Sequence, residues 1–164
     1  MIKKGTKDIR RPVFRNDPQN RQAQGEKSMD TREKNKEMVR DFVNAVFINH
    51  DLGVLDQYMR DDYIQHNPDV PQGKEGFRQF FEETFKAMPD FKYTVKALVA
   101  DEDRAWVYST SSGTHTGGDW LGVHPTGNRL SFDVVDMFRI QGGKLAEHWD
   151  VADTYTLFNQ LGRK

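Results

Sequence analysis

The stretch from Arg129 to Asp153, RLSFDVVDMFRIQGGKLAEHWDVAD, constrains the fold more than any other part of the chain. Polar and apolar residues alternate on both sides of Gln141-Gly142-Gly143-Lys144, where two successive glycines can supply the positive φ of a tight hairpin turn. In the first strand Leu130, Phe132, Val134, Phe138 and Ile140 share one face, and the residue completing that row is Asp136. In the second strand Ala146, His148 and Asp150 share a face, with Leu145, Trp149 and Val151 on the other. A carboxylate set in an apolar wall must find a partner or shift its pKa, because a lone buried charge is costly. Asp136, His148 and Asp150 are therefore expected to converge on a small acid/base pocket.

Length and charge bound what this hairpin can belong to. A chain of 164 residues suits one domain. Residues 1–29, with scattered Lys and Arg and no apolar period, read as a disordered basic arm, and residues 30–164 as the folded domain. The 24 Lys and Arg nearly balance 25 Asp and Glu, which gives no electrostatic case for nucleic acid or a membrane surface as partner. With no cysteine, disulfides, thiol nucleophiles and thiolate metal sites are excluded. No apolar run reaches membrane-span length and no secretory signal opens the chain, so a cytoplasmic location is expected.

Three helices are predicted before the sheet. The first starts at Asp30, with Glu33 completing a capping box, and runs to about Asn49 with Met38, Val39, Phe42, Val43, Val46 and Phe47 on its inner face. Leu52 to Met59 makes a short second helix, Asp62 to Pro68 a brief extended piece ended by its proline, and Lys74 to Ala87 the third helix. From Phe91 the period becomes two. Phe91–Ala100 and Arg104–Thr116 form a hairpin, with Tyr93, Val95, Ala97 and Val99 on one face of its first arm. The second arm carries Ser and Thr on both faces, as suits an edge strand or the wall of a wet cavity. Residues 117–128 form a loop whose Trp120, Leu121 and Val123 are placed to close over a pocket, and residues 154–161 a final helix. Helices followed by long antiparallel strands argue an α+β fold: a curved antiparallel sheet with three N-terminal helices on its concave face.

The order of Tyr63-Ile64-Gln65-His66-Asn67-Pro68, Gly113-Thr114-His115-Thr116-Gly117, Leu121-Gly122-Val123-His124-Pro125-Thr126-Gly127 and Val135-Asp136-Met137-Phe138-Arg139-Ile140 before Gly143-Lys144-Leu145-Ala146-Glu147-His148-Trp149-Asp150 resembles the SnoaL-like polyketide cyclases. These share the nuclear-transport-factor-two-like cone fold with ketosteroid isomerase and limonene epoxide hydrolase. The likeness covers roughly Glu33 to Gly162. It implies an enzyme of lyase or isomerase type that closes a ring by intramolecular aldol condensation, without metal or organic cofactor. The acid/base Asp of the last strand falls on Asp150, and the His before it on His148. Where those cyclases have a His near the end of the penultimate strand this chain has Asp136, and Val134 stands in place of a Gln.

Asp150, Asp136, His148 and His66 are thus the candidate catalytic groups. Asp150 is expected to move a proton α to a carbonyl, while a neutral Asp136, His148 or His66 bonds the developing enolate. Tyr63, Asn67, Phe77, Phe81, Phe85, His115, Trp120, Leu121 and Val134 are the candidate lining of a pocket for an apolar cyclic or polyketide-like carbonyl compound. The five histidines lie on separate elements with no His-x-x-x-His pair, so no metal site and no cofactor are expected. Two alternatives stand beside this reading. One is epoxide-hydrolase-like water addition by Asp136 and Asp150 with Arg139, although Arg139 falls on the opposite strand face from Asp136. The other is a non-catalytic ligand-binding or dimerisation domain. Trp106, Tyr108 and Trp149 on the outer sheet face predict a homodimer under either reading.

Overall fold

The computed structural model describes residues 18–162, with side chains from Asp30 onward. The elements run α1 (Pro18–Val43), a π-helical turn (Asn44–Ile48), a 3-10 turn (Leu52–Val54), α2 (Leu55–Tyr58), β1 (Met59–Gln65), α3 (Gly73–Ala87), β2 (Lys92–Ala100), β3 (Arg104–Thr114), β4 (Arg129–Gln141), β5 (Lys144–Ala152) and α4 (Thr154–Leu161). The strands form one curved, unclosed sheet in the order β1-β5-β4-β3-β2. The fold is α+β, as the segregation of periods indicates.

Several local expectations give way. The first helix begins at Pro18, twelve residues before the expected cap, so Asp30 lies inside it and pairs with Lys34 one turn on. Proline suits a first helical turn, and the Gln, Arg, Ala, Glu and Lys that follow are good helix formers even without an apolar stripe. The helical part of the expected arm is therefore 18–29, while residues 1–17 lie outside the described residues. The extended piece near Tyr63 is a full strand, and it pairs parallel to β5, so the sheet is mixed rather than purely antiparallel. No hairpin turn announces such an edge strand, because its partner lies about eighty residues on. It also separates α2 from α3 in the chain.

Two bulges reset the strand faces. Val95 pairs with Ser109 but Ala97 with Tyr108, so the extra residue Lys96 sends Ala97 and Val99 outward and turns Leu98 toward the core. On β5, Leu145 pairs with Ile140 and Glu147 with Arg139. The extra residue there is Ala146, and it brings Leu145, fully buried, onto the face of His148 and Asp150. At the tip between β4 and β5, Gly142 and Gly143 take φ 61° and 74°, the two left-handed positions of the expected turn.

The core lies between the sheet and the helices. The inward row of β4 is buried throughout from Leu130 to Ile140, Asp136 included. The π-helical turn is wider than an α-turn, and the neighbouring Val46 and Phe47 are both buried there. Phe42, Phe47, Phe77 and Phe81 then form a connected ring cluster, with Phe47 stacked 4.7 Å from Tyr93 on β2. This cluster backs one wall of a cavity.

Candidate active site

The cavity lies between the concave sheet face, α3, α4 and the loop before β4. Its walls are Phe47, Phe80, Phe81, Phe91, Trp120, Leu121, Phe132, Val134, Leu157 and Phe158, and its polar groups include Asn67, Tyr93, Ser111, Asp136 and Asp150. Its volume is about 110 Å³. An apolar cavity of about 150 Å³ takes up benzene, so this space matches roughly one ring.

β-Pairing sets its acidic end. Asp136 and Asp150 are direct cross-strand partners, one row from the Phe138–His148 pair. Asp136, buried in the apolar row, has both oxygens engaged: Tyr93 donates to Oδ2 at 2.5 Å, and His148 Nε2 lies 3.0 Å from Oδ1. Burial, followed by the charge of Asp136, pushes the Tyr93 phenol far above its usual range, so it stays a donor. The other ring nitrogen of His148 faces Gln65 Oε1 at 3.0 Å. That atom is identified as oxygen because it also accepts the backbone N–H of Asn67 at 3.0 Å. Nδ1 of His148 therefore carries a hydrogen, and a single proton lies along the Nε2–Oδ1 line.

Asp150 is held differently. Its Oδ2 accepts from Asn67 Nδ2 at 2.6 Å, and the Asn67 amide is itself oriented by the N–H of Asp69 on its oxygen. Burial raises the Asp150 carboxyl above its usual range; the Asn67 bond and the nearby His148 oppose that rise, and Asp136 adds to it. Two residues of one strand end thus govern both acids, Gln65 through His148 and Asn67 directly. The Gln72 side chain clamps that strand end, accepting from the Gln65 N–H and donating to its carbonyl.

Asp136, His148 and Asp150 are the one group among the described residues whose metal-ligand-type atoms all lie within 4.8 Å of one another. Pairing of β4 with β5 brings the three together. Within it His148 Nε2 meets Asp136 Oδ1, while Tyr93 takes up the other oxygen of Asp136 and Asn67 one oxygen of Asp150.

The other expected site residues divide. Asn67, Phe81, Trp120, Leu121 and Val134 line the cavity. Phe77 is buried one layer behind it, against Phe42, Phe47 and Phe81, and Tyr63 packs on Phe77 while accepting from Gln65 Nε2. Phe85 stacks on His50 at 4.1 Å and does not line the cavity. His115 is fully buried, with Nε2 2.8 Å from the Gly118 carbonyl, and anchors the base of the loop. His66 is displaced altogether. Alternation along β1 sends Gln65 inward and His66 outward, where it stacks flat on Trp149 and meets Glu147 at 2.8 Å. Arg139 also bonds Glu147 on that outer face, so it cannot bridge the two aspartates as the water-addition alternative requires.

Gln65 and Tyr93 are the groups that sequence reasoning left without a role. Tyr93 lies on an alternating strand and Gln65 in a motif, and a polar-ended side chain on an inward position is the sequence signal for each. The loop is also more firmly seated than its glycines suggest. Trp120 is buried and donates to Thr84 Oγ1 on α3 at 3.0 Å. A two-residue turn between paired Trp120 and Val123 places Leu121 at φ 48°, a conformation costly for a residue with a branched side chain.

An acid pair at the end of an apolar cavity, walled by a curved sheet and helices, defines a cone-fold pocket protein. The profile of the SnoaL-like polyketide cyclase family matches residues 37–161, and the chain belongs to that family. Aklanonic acid methyl ester cyclase DauD of Streptomyces sp. strain C5 is 27% identical over 117 residues, 66% of this chain and 67% of its own length. Aklanonic acid methyl ester cyclase DnrD of Streptomyces peucetius is 27% identical over 114 residues, 65% and 72% of the two chains. The solved structure of TsrD from Streptomyces laurentii shares 31% identity and a TM-score of 0.72, over 81% of this chain and 98% of its own.

Proposed function

We propose that this protein is a cofactor-independent cyclase that closes a ring in an aromatic polyketide ester resembling aklanonic acid methyl ester, with Asp150 as the acid/base. The observation that carries this reading is the placement of Asp150. It lines the cavity, only one of its oxygens is engaged by the described residues, and burial raises its carboxyl toward the working range of a general base. Its carboxylate takes a proton from a carbon α to a carbonyl. The resulting enolate carbon attacks a second carbonyl of the same molecule, a carbon–carbon bond forms, and the new alkoxide takes up a proton to give the alcohol.

Asp136 serves this step through its charge and geometry. With both oxygens committed to Tyr93 and His148, it holds the hydrogen-bonded cluster beside Asp150 rather than donating to the enolate. A substrate larger than the present cavity extends past its open side, and parting of the Trp120–Thr84 bond widens the entrance for it. Conversion of the ester to its cyclised product, followed by chromatography, tests the reading. The wild type cyclises it and Asp150→Asn loses about 10²–10⁴-fold in rate; an inert wild type or a fully active variant contradicts it.

The outer sheet face supports a homodimer. Val99, Trp106, Tyr108 and Val151 are 62, 49, 39 and 65% exposed there. Sedimentation at micromolar concentration is expected to show a dimer, and a monomer contradicts this assignment.

A further inference from the structure

The cavity wall carries four hydroxyl groups, on Thr84, Tyr93, Ser111 and Thr154. Three are accounted for. Thr84 donates to the Phe80 carbonyl and accepts from Trp120, Tyr93 donates to Asp136, and Thr154 stands exposed where α4 begins. Ser111 differs: it is 6% exposed, it lines the cavity, and its side chain has no hydrogen-bond partner among the described residues. Its hydroxyl is open to the cavity rather than sealed in the wall, so it is the one inward hydroxyl here free to bond a ligand.

The distance of Ser111 from the acids indicates which end of a ligand it meets. Asp150 pairs with Asp136 and Asp136 with Val107, whereas Ser111 pairs with Phe132, four residues further along β4 and two strands from β5. Two strand spacings and four residues of rise separate the two positions by roughly 16 Å along a flat sheet, less on a curved one. Phe132 and Tyr93 flank Ser111 across the strands, so the surface around the hydroxyl is aromatic.

Resting on the cyclase reading above, we propose that Ser111 is a specificity-determining residue that hydrogen-bonds an oxygen on the substrate ring farthest from the reacting carbon. The substrate class is then a fused-ring aromatic ester with its acidic carbon at Asp150 and a phenol or quinone oxygen at its other end. Aromatic walls supply the apolar grip, while Ser111 fixes how far the ring system slides along the cavity. A site built around such a bond discriminates strongly against a ligand lacking the oxygen, because the bound ring system then covers the hydroxyl without pairing it.

Binding measured in the Asp150→Asn background separates this from the chemistry. The probes are two synthetic anthraquinone-type methyl esters, with and without a hydroxyl on the distal ring, titrated calorimetrically. With Ser111 intact, the hydroxylated ester binds at least tenfold tighter than its deoxy analogue. Ser111→Ala brings that ratio to within twofold of one, and Ser111→Thr, which restores a hydroxyl, recovers part of it. A ratio unchanged by Ser111→Ala, or equal weakening of both esters, overturns the Ser111 assignment and leaves the cyclase reading intact. Failure of both esters to bind with Ser111 intact overturns the substrate class and, with it, this inference.

Discussion

Two histidine–carboxylate pairs occupy opposite faces of the same edge of the sheet. His148 meets Asp136 at 3.0 Å on the inner face, with side chains 6% and 8% exposed. His66 meets Glu147 at 2.8 Å on the outer face, with side chains 35% and 18% exposed. Residue types and distances are nearly the same, and the surroundings are not. The inner pair is enclosed by aromatic rings and tied by Gln65 and Tyr93 into a chain of hydrogen bonds. The outer pair is stacked on Trp149, shared with Arg139 and open to water, and those bonds from His66 and Arg139 hold the Glu147 carboxyl below its usual range. Sequence neighbours diverge in the same way: Gln65 and His66 are adjacent, and the strand pleat assigns one to the site and the other to the surface.

If burial is what separates the pairs, removing the histidine from each should give unequal results. His148→Ala leaves a buried carboxylate with one donor in place of two, and should cost about 3 kcal/mol or more in a denaturant melt. A loss under about 1 kcal/mol would put the inner pair in the same energetic class as a surface pair. Asp150→Asn should act in the opposite direction and more weakly. A carboxyl whose pKa is raised on folding binds its proton more tightly in the native state, so the wild type loses stability as pH rises from the unfolded value near 3.8 through the raised one. The variant lacks that loss. It should therefore be at least as stable as the wild type at pH 7, and any advantage should disappear below the unfolded pKa. An advantage that grows as pH falls would reverse the sign assigned to Asp150. His66→Ala should have the smallest effect, within about 1 kcal/mol, because Glu147 keeps its bond to Arg139.

The same contrast shows what could be read before the structure. The inward row of β4, its acid included, and the facing of His148 and Asp150 follow from strict alternation, and the Gly142-Gly143 turn follows from backbone sterics. Alternation failed where a bulge inserted a residue, at Lys96 and Ala146, because bulges carry no clear sequence mark beside ordinary strand residues. Residues 62–68 show no strand signal of their own, because their sheet partner is the distant parallel strand β5, and so their motif alone does not separate inward Gln65 from outward His66. Phe77, Phe85 and His115 illustrate a further limit. An amphipathic face identifies what is buried, whereas the choice between cavity wall and the layer behind it depends on how helices and loop pack in three dimensions.

In the proposed cyclase, Asp150 moves a carbon-bound proton while the Asp136–His148 pair beside it stays in place. Hydrogen–deuterium exchange at the α-carbon of the ester, followed by NMR in D₂O, reads that step without requiring ring closure. The wild type is expected to accelerate exchange well above the buffer rate, and Asp150→Asn, folded and still able to bind the ester, to lower the enzymatic exchange by about 10²-fold or more. Exchange at the wild-type rate in Asp150→Asn would contradict this role of Asp150.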